Sequence, residues 1–106
     1  MDKFTYDYSP YSDILHIQRK NYVTLGSVEI GDFTIDFGKE NIIVGLDIEH
    51  ASEFFSHLDI DKESLSRIQN IQISIDKRNL QSQLIFLTIQ FPTSTKKIPV
   101  PLTLTA

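Results

Sequence analysis

The stretch from Phe33 to Leu58 constrains this chain most, because its apolar spacing changes period at one identifiable place. Phe33, Ile35 and Phe37 alternate with Thr34 and Asp36, and Ile42, Val44, Leu46 and Ile48 share a face in the same way. Period two built from β-branched and aromatic residues is the signature of a half-buried strand. Gly38 to Asn41 lie between the two runs and include Gly and Asn, which tolerate positive φ, so a hairpin joins them. After Glu49 the spacing changes: Ala51, Phe54, Phe55 and Leu58 stand at i, i+3, i+4 and i+7, one stripe of a helix. Two phenylalanines contribute about 1.5–3 kcal/mol of burial each, which lays this helix on the apolar face of the hairpin.

The flanking sequence extends the same plan. Lys3 to Asp7 reads as a first strand with Phe4 and Tyr6 on one face, and Tyr8 to Asp13 as a turn containing Pro10. Ile14 to Arg19 is the next strand, with Leu15 and Ile17 inward and His16 and Gln18 outward. Tyr22 to Ile30 continues extended, with a bulge or bend at Gly26. Asp61 is a helix N-cap, and Ile60 with Leu65 has the spacing of a hydrophobic staple. Ile71, Ile73 and Ile75 alternate in a one-sided strand. Leu84 to Phe91 starts apolar on both faces and reads as a central strand. Ile98, Val100, Leu102 and Leu104 alternate with Pro99, Pro101 and Thr103; two prolines of one parity mark an edge strand that resists further pairing.

The fold expected is therefore α+β: a mainly antiparallel sheet of hairpins or a meander, with one or two short helices on one face. Its expected core includes Phe33, Ile35, Phe37, Val44, Leu46, Ile48, Phe54, Phe55, Leu87 and Ile89. With 106 residues and no Pro/Gly/Ser linker, a single domain is expected over residues 1–106. Residues 1–58 form its strands and first helix, and residues 59–106 a helix with three further strands.

A resemblance accompanies this reading. Tyr8-Ser9-Pro10-x-x-Asp13-Ile14-Leu15-His16-Ile17, Ile35-Asp36-Phe37 and Gly45-Leu46-Asp47-Ile48-x-x-Ala51-Ser52 are similar to the domain-of-unknown-function 2283 family, over roughly residues 4–58. Members of that family carry Asp where this chain has Ser9, and Tyr where it has His16. The resemblance implies a β-meander followed by a helix. It brings no established activity and no catalytic residues.

Composition narrows the functional classes. The net charge of −4 argues against a non-specific nucleic-acid binder, which needs a basic surface to release counterions. The chain has no cysteine, which removes disulfides, thiol catalysis and zinc–thiolate sites together. There is neither a signal-peptide pattern nor an apolar run of membrane-spanning length, so a cytoplasmic protein without a membrane partner is the expectation.

Three groups of residues could carry chemistry. The first is the outward face of the hairpin. If Phe37 pairs with Ile42, then Thr34 lies opposite Gly45 and Asp32 opposite Asp47, with Asp36 and Glu49 on the same face. Like charges across strands repel, so a lysine, a bound cation or a proton would have to offset them. The alternative is a solvated acidic face. The second group is His50, Glu53 and His57 along one border of the helix, with His16 on a nearby strand. These types can hold zinc or iron, but no recognised metalloenzyme spacing is present. The third is the tyrosines Tyr6, Tyr8, Tyr11 and Tyr22, which either form a recognition surface or cover a core edge.

Two functions follow. One is a non-catalytic protein-interaction or regulatory module using Tyr8, Tyr11, Asp36, Asp47 and Glu49, without a cofactor. Its expected partners are a second copy in a homodimer or a basic protein, and an antitoxin-like role is one form of it by analogy. The other is a metal-dependent or hydrolytic enzyme using the acidic face and the histidines.

Overall fold

Among the residues described by the computed structural model, 3–77 and 82–105, the chain forms eight strands, two short α-helices and one turn of 3-10 helix. They fall into two compact units, Met1–Ser66 and Arg67–Ala106. The first unit holds β1 (Phe4–Ser9), β2 (Ile14–Arg19), β3 (Gly26–Ile30), β4 (Phe33–Phe37), β5 (Ile43–Glu49), α1 (Ala51–Ser56) and α2 (Lys62–Leu65). The second holds β6 (Asn70–Lys77), β7 (Ser82–Gln90) and β8 (Thr95–Thr105). All pairings are antiparallel, and the α+β class is as expected. No helix among the described residues is long and apolar enough to cross a membrane.

In the first unit the strand order is β1-β2-β5-β4-β3. Hairpins join β1 to β2, β3 to β4 and β4 to β5, whereas the segment from β2 to β3 passes β5 and β4 to reach the far edge. The extended stretch expected from Tyr22 is a strand only from Gly26 onward. Val23 is held on the way: its carbonyl would lie 3.1 Å from a Cβ on Gly38, and the Val44 side chain 2.8 Å from it. Only a residue without a side chain fits there.

The β4–β5 register differs from the expected one. The link carries a 3-10 turn at Lys39–Asn41, and the ladder shifts between Asp36 and Phe37. Phe37 therefore pairs with Ile43, Asp36 with Gly45 and Thr34 with Asp47, while Asp32 lies in the β3–β4 turn. Val44 is the extra residue of the bulge, and bulges of this kind bend and twist a strand locally. Ile43 is buried in place of Ile42, which is exposed. Beyond the bulge the alternation holds: Leu15, Ile17, Phe33, Ile35, Leu46 and Ile48 are all buried.

Helix α1 lies against this face through Phe54, whose ring meets Phe33 edge-on at 5.4 Å. Phe55 is wholly buried, but Phe54 and Phe37 are only half-buried, short of expectation. The helix ends at Ser56 rather than Leu58, because the Phe55 carbonyl accepts from both Leu58 N at 2.9 Å and Ile60 N at 3.0 Å. That turn exposes Leu58 and buries Ile60 instead. Asp61 then caps α2, accepting from Ser64 N at 2.8 Å, and Leu65 is buried.

In the second unit β7 is central, between β6 and β8. Ile71, Ile73, Ile85, Leu87, Ile89, Ile98 and Val100 are buried. β8 is an edge strand, and its ladder with β7 breaks register between Phe86, opposite Pro99, and Leu84, opposite Thr103. Pro101 falls inside that break, where a missing N–H costs no ladder bond. The inward side chains expected at Leu102 and Leu104 lie outside the described residues.

Candidate functional site

Strand pairing assembles two polar rows on the outward face of the five-stranded sheet. The first runs Asp7, His16, Asp47, Thr34, Glu29 and the second Thr5, Gln18, Gly45, Asp36, Ser27, each from β1 to β3. The expected opposition of Asp32 and Asp47 is absent. Each of these carboxylates meets a histidine instead: His16 Nδ1 is bonded to Asp47 Oδ1, and His50 Nδ1 lies 3.2 Å from Asp32 Oδ1. With Thr34 rather than Asp32 opposite Asp47, this register needs no offsetting cation between the two carboxylates.

The His16–Asp47 pair holds the imidazole by Nδ1 and leaves Nε2 for proton exchange, half of a general-base arrangement. The other half is a nucleophile. The cross-strand neighbours of His16 are the carboxylates Asp7 and Asp47, and Thr34 stands beside Asp47 one strand further on. Both His16 and Asp47 are substantially solvated.

Asp36 departs from the expectation of an outward carboxylate in solvent, being only 9% exposed. It accepts 2.6 Å from Ser27 Oγ. A Cβ on Gly45 would lie 2.7 Å from Asp36 Oδ2, 2.8 Å from Gln18 Oε1 and 3.1 Å from the Ile17 carbonyl. Glycine makes the hollow in which these side chains rest. Gly45→Ala is expected to destabilise the protein by about 1–3 kcal/mol, the usual range for overpacking, as read from a urea midpoint. An unchanged midpoint would show that Asp36 and Gln18 swing away freely.

His50, Glu53 and His57 line one pocket with Asp32, Phe33 and Phe54, of about 210 Å3. Its apolar surface is the edge-on Phe33–Phe54 pair. The hydrogen bond to Asp32 and that residue's charge raise the His50 pKa, against slight desolvation, and Glu53 and Glu49 add to the rise. A raised folded-state value means that this contribution to stability is full below pH ~6.5 and fades as pH climbs through the raised value. His16 lies on the sheet, bonded to Asp47, apart from these three. Among the described residues no group of three or more His, Asp or Glu converges as a metal-ligand set.

Tyr8 and Asp13 form a structural lock that the sequence reading missed. Asp13 adopts positive φ at the end of the β1–β2 turn. Its carboxylate accepts from Tyr8 OH at 2.6 Å, Ser52 N at 2.9 Å and Ser52 Oγ at 2.7 Å, and its carbonyl accepts from Ala51 N at 3.0 Å. A residue 39 positions upstream thus caps the start of α1. Burial opposes the charge on Asp13, but the bonds from Tyr8 and Ser52, with Lys62 nearby, outweigh it and hold the carboxyl below its usual range. Burial and the bond to Asp13 push the Tyr8 phenol well above its own. No local spacing signals this lock, since Asp13 and Ser52 lie 39 positions apart and meet only in the fold.

The remaining candidates are scattered. Tyr11 projects fully into solvent from the β1–β2 turn, and Glu49 is exposed opposite Ile14 just beyond that turn. Tyr22 faces the Arg19 guanidinium at 5.0 Å, with Phe4 at 5.4 Å from the same group.

Among the strands of the first unit, β3 is the most open. It is an edge strand, and each of its five residues is exposed. Val28 and Ile30 continue the core rows of Ile35 and Phe33, yet are 47% and 40% exposed. Beside them a pocket of about 460 Å3 is lined by Leu25, Gly26, Val28, Phe37 and the Gly38–Asn41 link. Comparison with protein-family models, curated proteins and solved structures finds no match.

Proposed function

We propose that this chain is a non-catalytic protein-recognition module that binds by adding a strand to the β3 edge. One observation carries the reading: β3 is an edge strand exposed along its whole length, with apolar Val28 and Ile30 on its core-side face and no proline to block it. An edge of this kind is a template for another strand, and proteins that do not use one cover or charge it. The edge strand β8, by contrast, contains two prolines.

The test uses the direction of main-chain groups. The two-residue turn Gly31-Asp32, with Gly31 at φ +58°, closes Ile30 against Phe33. The closing pair of such a turn is hydrogen-bonded, so Ile30, Val28 and Gly26 point their main-chain groups at β4, and Ser27 and Glu29 point theirs at the free edge. Glu29→Pro removes an edge-facing donor and no ladder bond. It is expected to keep the circular dichroism and melting temperature of the wild type while losing the protein that the wild type retains from lysate. Unchanged capture would count against the β3 edge.

The His16–Asp47 bond favours a second reading, a hydrolase with His16 as general base. Turnover of phosphoester or carboxyl-ester substrates by the wild type, abolished in His16→Ala, would establish it in place of the first.

A further inference from the structure

We propose that β3 pairs with β3 of a second copy of this chain, antiparallel about a two-fold axis at Val28, to give a continuous ten-stranded sheet. The inference rests on the open-edge reading and names one partner for it. The strand is self-complementary in this register. Val28 meets Val28 of the partner copy, Ser27 meets Glu29, and Gly26 meets Ile30, so all five residues are used. Ser27 and Glu29 carry the edge-facing main-chain groups, so each Ser27–Glu29 pair exchanges two backbone hydrogen bonds, four in all.

The neighbouring registers are worse on the same observations. An axis at Glu29 sets two carboxylates directly opposite, which repels. An axis at Ser27 shortens the overlap and carries Ile30 beyond the strand. Half-step registers oppose an edge-facing residue to one already committed to β4. About Val28, each Glu29 faces a neutral Ser27.

Shape agrees with charge. Ile30 of one copy comes to lie over Gly26 of the other, which has no side chain, and a Cβ there would meet nothing within 4 Å. That position opens into the 460 Å3 pocket, where Leu25, Val28 and Phe37 supply the apolar wall beside Ser27 and the Gly38–Asn41 link. Gly26, Val28, Ile30 and Phe37 belong to the same sheet face, so each exposed Ile30 finds an apolar seat. Symmetry provides the seat twice, as an isologous interface requires. A five-residue strand contact belongs below the standard interface size of about 1,200 Å2, so the dimer is concentration-dependent.

The absence of native cysteine makes the geometry directly testable. Across the axis Val28 forms a non-hydrogen-bonded pair, with Cα atoms about 4.5 Å apart and within disulfide reach, whereas the two Glu29 residues are offset by two positions, about 8 Å, beyond it. In a glutathione redox buffer, Val28→Cys is expected to form a disulfide-linked dimer and Glu29→Cys to form none. Sedimentation equilibrium is expected to show wild-type dimer and, for Gly26→Val, association at least about tenfold weaker, because the valine fills the seat of Ile30. Gly26 has an ordinary backbone conformation and open space around it, so this variant keeps its fold. Cross-linking of Glu29→Cys as readily as Val28→Cys, wild-type dimerisation by Gly26→Val, or a wild type monomeric at high micromolar concentration would each overturn the proposal. In the last case, partner capture lost in Glu29→Pro would leave the open-edge reading standing, and capture unaffected by it would remove both.

Discussion

Asp13→Ala is expected to lower the unfolding free energy by about 3 kcal/mol. A hydrogen bond to a charged group contributes about 1.5–3 kcal/mol and an N-cap about 0.5–2, and these overlap at Asp13 rather than add. The variant also leaves the half-buried Tyr8 hydroxyl without its acceptor and Ser52 N–H without its cap. Asp13→Asn keeps an acceptor and the tolerance of positive φ, and is expected to lose less. Because the folded-state pKa of Asp13 is lowered, the advantage of wild type over Asp13→Asn is full above pH ~4 and disappears as pH falls through the lowered value. Urea denaturation of the three proteins across acidic pH measures this. A difference that persists undiminished in strong acid would rule out the charge as its origin.

Phe55→Ala is expected to cost about 3–5 kcal/mol, the range for emptying a fully buried phenylalanine site. Its ring has no exposed surface and meets Phe54 edge-on at 5.0 Å, and Phe54 in turn meets Phe33. Phe54→Ala is expected to cost less, since Phe54 is half-buried beside the histidine pocket. Equal losses, measured by denaturation at neutral pH, would mean that the aromatic chain acts as one unit rather than through the burial of one ring.

Alternation made the strands legible, and the change of spacing at Ala51 located α1 to within two residues. Neither could determine the register of β4 and β5. That depends on how Gly38 fits beneath Val44 and beside Val23, a tertiary matter. The error propagated into the site: a two-residue slip placed Asp32 opposite Asp47 and hid the histidine partners of both. His16 and Asp47 are 31 residues apart, so only the β2–β5 pairing brings them together. The exposure of β3 was equally hidden. Gly-Ser-Val-Glu-Ile reads as an ordinary strand, and strand order alone makes it an edge.

The route by which β2 reaches β3 bears on how the first unit folds. β1–β2 is a local hairpin and β3–β4–β5 a local ribbon, but β2 can meet β5 only after the chain between them has been drawn closed. That seam carries the entropy of closing the largest loop in the sheet, so it is expected to form last and to open first. The His16–Asp47 bond and the Asp13–Ser52 cap both span it. Two pairs that would attract notice as chemistry are therefore placed where a long-range closure most needs fastening. Faster unfolding, with little change in folding, is the kinetic mark expected of weakening bonds that form last.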